Sequence, residues 1–310
     1  MMMTRDHHIA VIGAGLMGHG IALTLARAGQ QVVVTDPMPE ALAALQGRVS
    51  QSLELMGESA ERIVAIQQLI AVAGSIEDAV SDAFVVFEAA PEKLALKQQI
   101  FAEVEAYAPQ DCILASNTSV MPITEIMSGL KLRDRALGTH WWNPPHMIPL
   151  VEVIRTEWTD EAAITKIMKL LADAGKTPVR VEKDVPGFIG NRLQHALWRE
   201  AISLVERGIC DAESVDTVVK SCFGRRLSVL GPLENADLVG TDLTLDIHQT
   251  VLADLEDRKG PSPYLERLVA DGKLGMKSGE GFRKWTPEEA GKVRNRVITH
   301  LRKLEGILEK

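Results

Sequence analysis

Cysteine is scarce in this chain, and none sits at metal-ligand spacing. Cys112, Cys210 and Cys222 are scattered and odd in number. Neither a disulfide framework nor a metal cluster is therefore expected, but rather reduced thiols, most of them buried. Positive charge is short as well: 34 Lys and Arg against 42 Asp and Glu leave a formal net charge of −8. That balance argues against nucleic acid or an anionic membrane surface as the main partner. No apolar run reaches the length of a bilayer-spanning helix. Met1 to His8 carries Arg5 and Asp6 but no apolar signal core, so a cytoplasmic location is expected. Internal repeats, low-complexity tracts and heptad arrays are missing too. A 310-residue chain with 46% hydrophobic and 25% charged residues remains, enough for two ordinary domains with sizeable cores.

From Ile9 to about Pro186, short apolar runs alternate with amphipathic stretches. Ile9-Ala-Val-Ile, Gln31-Val-Val-Val, Phe84-Val-Val-Phe, Cys112-Ile-Leu-Ala, Leu150-Val-Glu-Val-Ile and Pro178-Val-Arg-Val read as strands. Most are too uniformly apolar for a half-exposed strand, which suits a parallel sheet covered on both faces. Leu16 to Ala28 reads as a helix that stops at Gly29. Strands and helices alternating in this way predict βαβ units and a doubly wound α/β domain over residues 1–186. After Val185-Pro186-Gly187 the pattern becomes helical. Asn191 to Glu206, Asp211 to Val219 and Leu233 to Leu255 read as helices, so residues 187–310 are expected to form an all-α domain.

Gly13-Ala14-Gly15-Leu16-Met17-Gly18 lies between the first strand and the first helix. In that context Gly13 permits a tight turn, and Gly15 lets a pyrophosphate approach backbone N–H groups. Gly18 lets the helix pack close to the sheet, and the phosphates then meet the positive end of that helix. Asp36 ends the second strand, where a carboxylate accepts from both ribose hydroxyls and repels a 2′-phosphate. No Arg immediately follows Asp36, so NAD is expected rather than NADP, and no metal.

Three further segments concern chemistry. Ala115-Ser-Asn-Thr-Ser119 follows a strand at the carboxyl edge, where such sheets bind ligands. Gly138-Thr-His140-Trp-Trp-Asn143-Pro-Pro comes next, then Leu150-Val-Glu152-Val-Ile. A carboxylate inside an apolar strand needs a partner, and His140 is a natural one. Such a pairing fixes the imidazole tautomer and raises the basicity of its other nitrogen. That suits alcohol oxidation, in which hydride leaves carbon as the hydroxyl proton is removed. Ser119 and Asn191 are candidates for holding the reacting oxygen. Each residue also has a plainer reading: a core histidine, a helix cap at Ser119, a helix cap at Asn191.

Together these segments resemble the 3-hydroxyacyl-CoA dehydrogenase family, in the same order from Gly13 to Phe282. They include Asp184-Val-Pro-Gly-Phe-Ile-Gly-Asn191-Arg and Gly275-Met-Lys277-Ser-Gly-Glu-Gly-Phe282, with 21 residues from Ser119 to His140 and 12 from His140 to Glu152. The resemblance implies His140 as acid/base, Glu152 as its orienting partner, and Ser119 and Asn191 near the substrate oxygen. It also implies NAD contacts at Glu92, Lys97, Asn143 and Lys277, and a homodimer formed through the helical domain.

The chain departs from the family at the substrate. Trp141-Trp142 stands where members acting on fatty acyl-CoA carry Phe-Phe, and Val120 follows Ser119 where a second small polar residue is common. Residues 40–82 contain Arg48 and Arg62 but no Lys, beside seven acidic residues, in the region where those members present a lysine-rich helical pair. A net-acidic segment suits CoA phosphates poorly. Relatives that oxidise small free acids, including a pyridine-ring acid, match the His-Trp-x-Asn-Pro-Pro-His stretch better. A small free hydroxy acid is therefore favoured over an acyl-CoA thioester. The two tryptophans either stack on substrate or only wall the pocket. Arg192, Arg225 and Arg226 either clamp a carboxylate or sit exposed at helix ends.

Overall fold

The computed structural model describes residues 7–308. These pack as two units, one of residues 7–192 with 300–308 and the other of Leu193–Thr299. In the first unit β1 (His8–Ile12), α1 (Leu16–Arg27) and β2 (Val32–Thr35) form the opening βαβ. Then come α2 (Pro39–Ala43), α3 (Leu45–Met56), α4 (Ala60–Gln67), β3 (Ile70–Val72), α5 (Ile76–Val80) and β4 (Ala83–Glu88). The unit continues through α6 (Leu94–Tyr107), β5 (Ile113–Ser116), α7 (Ile123–Met127), β6 (Ala136–Trp141), β7 (Leu150–Ile154), α8 (Glu161–Asp173) and β8 (Thr177–Val181).

The eight strands form one sheet in the order β3-β2-β1-β4-β5-β6-β7-β8. Strand periodicity divides its side chains between two cores. Ile9, Val11, Val85 and Phe87 face one cluster with residues of α1, α3 and α8, while Ala10, Ile12 and Val86 face another with residues of α5, α6 and α7. Both faces are thus covered, as the uniformly apolar strands predict. β8 differs, because its residues alternate between exposed and part-buried, as an edge strand's do.

Two strands escape the sequence reading. β3 is only three residues long, and β6 lies in the Gly-Thr-His-Trp segment, whose glycine and neighbouring prolines resemble a loop. β6 also breaks the expected all-parallel pattern. β1 to β6 pair in parallel with their neighbours, but β6 and β7 run antiparallel, with His140 opposite Glu152.

The second unit holds α9 (Gly190–Glu206) from Leu193 onward, α10 (Ala212–Ser221), α11 (Pro232–Val239), α12 (Thr241–Val251), α13 (Pro263–Ala270) and most of α14 (Pro287–Leu308). The helix expected over Leu233 to Leu255 is in fact two. Gly240, at φ 102°, stands between α11 and α12 in a conformation no helix contains. The first unit extends into the first turn of α9, which begins with backbone N–H groups bonded into that unit (below). The cysteines also need correction: Cys112 is buried, but Cys210 is half-buried and Cys222 exposed. Burial pushes the Cys112 thiol up to about 12, only partly opposed by Arg135, so it is inert at neutral pH.

A histidine pair joins α1 to the loop after β6. The His19 and His146 rings lie 6.0 Å apart, and His19 meets Gly15 O at 3.0 Å through Nδ1. Burial, with His19 and Lys176 nearby, lowers the His146 imidazole from its usual 6.5 to about 4. The unfolded chain therefore takes up a proton here that the folded chain refuses. Stability from this group is complete above pH 6.5 and is lost as pH falls toward 4. The loss amounts to at most about 3 kcal/mol, reduced by solvent screening at a half-buried side chain. His146→Gln should lose less stability than the parent between pH 8 and pH 5 in urea unfolding. Equal losses in both proteins would overturn this assignment.

Candidate active site

The glycine turn has the form that a dinucleotide needs. Gly13 sits at φ 106°, and a Cβ there would lie 2.8 Å from Ala89 O. A Cβ on Gly18 would lie 1.7 Å from Gly13 O, so α1 reaches the strand only because this residue has no side chain. Nothing stands within 4 Å of the Cβ position of Gly15. The N-terminus of α1 has neither a side-chain cap nor an acidic residue in its first turn. Its N–H groups are thus suited to an anion. Asp36 is fixed from two sides, Oδ2 accepting from Ala14 N at 2.7 Å and Oδ1 from Met38 N at 2.9 Å. A carboxylate with two such bonds keeps lone pairs for hydroxyl donors. The residues present therefore fit NAD, which when bound accepts a hydride at its nicotinamide ring.

Arg48 on α3 turns back to this loop and donates to Ala14 O at 2.8 Å. Arg62 is held by Arg27 O at 3.4 Å and lies 4.0 Å from Glu58. Both arginines nonetheless remain exposed.

Beneath the carboxyl ends of β4 and β5 lies a buried polar network around Glu88, a residue to which the sequence reading gave no role. Lys97, 1% exposed, donates from Nζ to Glu88 Oε1 at 2.7 Å and to Ala90 O at 3.2 Å. Ser116 Oγ donates to Glu88 Oε2 at 2.6 Å. Glu92 lies 3.7 Å from the same ammonium and accepts from Ser119 N and Thr118 Oγ1 at 2.6 and 2.9 Å. Lys97 and Glu92, implied as cofactor contacts, thus also shape the Ser119 turn. A buried Glu preceding a lysine by nine positions at a strand end was the signal that could have revealed Glu88.

The antiparallel step between β6 and β7 brings His140 and Glu152 together on one face of the sheet. Both are buried, with Nδ1 and Oε2 2.7 Å apart. The other carboxylate oxygen is satisfied by the turn leading into α9. Gly187 and Phe188 there take positive φ values of 74° and 49°. A left-handed bulky residue is a genuine outlier, sustained here because Phe188 is fully packed. The turn aims Ile189 N and Gly190 N at Glu152 Oε1, at 2.8 and 3.0 Å. Burial alone would raise the Glu152 carboxyl, but hydrogen bonds from His140, Gly190 and Ile189 outweigh it and hold it below the usual carboxylate range. Glu152 is therefore an acceptor, Nδ1 of His140 donates to it, and the lone pair of Nε2 is left for another proton.

Asn191 Nδ2 donates to Ser119 O at 2.8 Å, so the structure also joins these two candidates. Asn143 is exposed beyond the end of β6. Lys277 belongs to the second unit, where it helps to line an apolar cavity of about 620 Å³ with Trp198, Leu268 and Phe282. The tryptophans part company. Trp141 is a core residue, edge-on to Phe87 at 5.9 Å with the Lys176 ammonium over its ring. Trp142 lies beside the imidazole, ring centroids 5.0 Å apart. Arg192 is exposed at the start of α9. Among the described residues no cluster could hold a metal ion, and no helix is long and apolar enough to cross a membrane.

A glycine turn feeding an uncapped helix, with an acidic residue ending the second strand, defines a NAD-dependent oxidoreductase. Residues 8–185 match the 3-hydroxyacyl-CoA dehydrogenase NAD binding domain, and residues 187–285 match the C-terminal domain of the same enzymes. The chain belongs to the 3-hydroxyacyl-CoA dehydrogenase family of NAD-dependent oxidoreductases. It is 37% identical to a 5-formyl-3-hydroxy-2-methylpyridine 4-carboxylate 5-dehydrogenase from Mesorhizobium japonicum, over 97% of this chain and 98% of that one. It is 38% identical to a probable 3-hydroxybutyryl-CoA dehydrogenase from Bacillus subtilis, over 88% and 96% respectively. A solved 5-dehydrogenase for the same pyridine acid, described as an NAD+-dependent dismutase, superposes with a TM-score of 0.90 at 37% identity, covering 98% of each chain.

Proposed function

We propose that this protein oxidises the hydroxyl group of a small free acid, using NAD as hydride acceptor and His140 as base. The acid/base role rests on the buried His140–Glu152 bond, which occupies Nδ1 and makes Nε2 the nitrogen that exchanges the proton. That nitrogen takes the hydroxyl proton as the carbon loses its hydride, and Glu152 stabilises the imidazolium that forms. Proton release from Nε2 to solvent completes the turnover, and the same imidazolium is the proton donor in the reverse direction. Asn191, by holding Ser119 O, orients the Ser119 hydroxyl toward the reacting oxygen. Glu92, Lys97, Asn143 and Lys277 serve the cofactor.

The observation that supports the free-acid reading is the net-acidic α2–α4 segment, where four glutamates outnumber Arg48 and Arg62, a poor surface for CoA phosphates. Identity does not separate the two activities among relatives, at 37% and 38%, but the match to the pyridine-carboxylate enzyme extends over more of the chain. The test is NADH formation at 340 nm with 3-hydroxybutyrate, gulonate, carnitine, a hydroxymethyl-pyridine carboxylate and 3-hydroxybutyryl-CoA. Turnover of a free acid is expected, and turnover of the CoA ester alone overturns the reading.

The helical unit is also proposed to form a homodimer. α11 and α12 expose Leu233, Leu238 and Leu245 at 80%, 73% and 58%, an apolar surface that a second copy can cover. Light scattering should give twice the 33.9 kDa chain mass, and Leu233→Glu with Leu245→Glu should halve it. A monomeric parent protein would overturn the proposal.

A further inference from the structure

Three aromatic or heteroaromatic rings gather at the candidate base. The imidazole of His140 has Phe188 at 5.6 Å and Trp142 at 5.0 Å between ring centroids, each tilted by 52°. Trp142 occupies this place only because residue 190 is glycine. A Cβ there would stand 2.4 Å from Trp142 Cζ2 and 3.2 Å from Cε2 and Cη2. No side chain fits at position 190 while the indole stays where it is. The backbone N–H of Gly190 is at the same time bonded to Glu152, so this residue cannot withdraw to make room. The edge of the indole turned to Gly190 is the edge that carries Nε1, since Cε2 is bonded to that nitrogen. Nε1 is buried and has no hydrogen-bond partner among the described residues, although a buried indole N–H ordinarily finds one. Trp141 Nε1 is likewise buried and unpartnered among the described residues, but its ring is packed in the core against Phe87.

We propose that Trp142, seated by Gly190, is the residue that selects the substrate, and that it selects a flat, ring-bearing acid over a flexible chain. The inference rests on the free-acid reading above and narrows it. A ring packs beside His140 against Trp142 in the offset or edge-on arrangements that aromatic groups favour. An acyl chain gains no such ring contact and finds the space beside the base narrowed by the larger aromatic.

The test compares kcat/KM for a hydroxymethyl-pyridine carboxylate, 3-hydroxybutyrate and 3-hydroxybutyryl-CoA in the parent enzyme, W142F, G190A and the double variant. W142F should lower the ring-acid value relative to 3-hydroxybutyrate by about tenfold or more, chiefly through KM. G190A should do the same in the parent background by displacing the indole. It should add little in the W142F background, since phenylalanine has no Cζ2 to strike. Melting curves establish that each variant is folded. Equal losses on all three substrates mean a merely structural tryptophan and overturn the inference. A parent enzyme that oxidises 3-hydroxybutyrate but no ring acid overturns it too, while leaving the free-acid reading intact. Turnover of only the CoA ester overturns both.

Discussion

Turnover by the His140→Ala variant is expected to fall about 100- to 10,000-fold, with NAD binding retained. The imidazole is held by an orienting carboxylate at Nδ1, which leaves Nε2 as the nitrogen that exchanges a proton. Glutamine at position 152 should fall between this variant and the parent. Its single oxygen cannot serve both His140 Nδ1 and the two N–H groups of Ile189 and Gly190, so either the imidazole or the turn loses its acceptor. The pH dependence separates the two variants. Hydrogen bonds hold Glu152 below the usual carboxylate range. The stability it contributes is therefore present above the ordinary value of 4.5 and is lost as pH falls through the lower, folded-state value. Glu152→Gln should accordingly be less stable than the parent at pH 7, and the gap should narrow in acid. Stopped-flow NADH formation at pH 7, and urea unfolding at pH 7 and at a series of pH values below 4.5, read the two effects. His140→Ala turnover equal to the parent's would remove the acid/base assignment altogether.

The glycine turn was legible in the sequence because each of its demands is local. A turn with φ > 0, an open approach and a close helix–strand contact each leave a glycine at a fixed spacing. Asp36 ends a strand whose apolar run is equally plain. The partnership of His140 and Glu152 was legible for another reason: one carboxylate in an otherwise apolar strand demands a partner. The geometry that joins them was not. Nothing in Ala136–Trp141 announces a strand, since Gly138 and the prolines after Asn143 mimic a loop. The antiparallel step is a property of the whole sheet, not of either segment. Glu88 stayed hidden in the same way, and Lys97 was legible only as a cofactor contact implied by the resemblance, because their burial depends on the packing of β4, β5 and α6. Trp141 and Trp142 are identical in sequence terms, and only strand alternation sends the first into the core and leaves the second beside the base. Gly240 shows the opposite failure. The apolar period runs on past it, so the span Leu233 to Leu255 reads as one helix although Gly240 separates two.

The second large effect is expected at Lys97, itself only 1% exposed. Lys97→Met keeps the length of the side chain but removes the ammonium, leaving the Glu88 carboxylate buried with only Ser116 Oγ and Ala90 N as donors. An uncompensated buried charge of this kind costs about 3–5 kcal/mol, which for a domain of this size lowers the melting temperature by roughly 10 °C. Glu88→Gln in the same chain removes the stranded charge and should restore at least half of that loss. A structural role without electrostatic coupling predicts simple additivity instead. The same substitution reaches the chemistry through Glu92, which loses the ammonium 3.7 Å away while still holding Ser119 N. The Ser119 turn then has a weaker anchor, and KM for substrate should rise in Lys97→Met and stay high in the double variant even as its stability returns. Recovery of stability and KM together would mean that Lys97 acts on the turn only through the fold. Recovery of stability alone would assign Lys97 a separate part in positioning Ser119, with Glu92 as the intermediary.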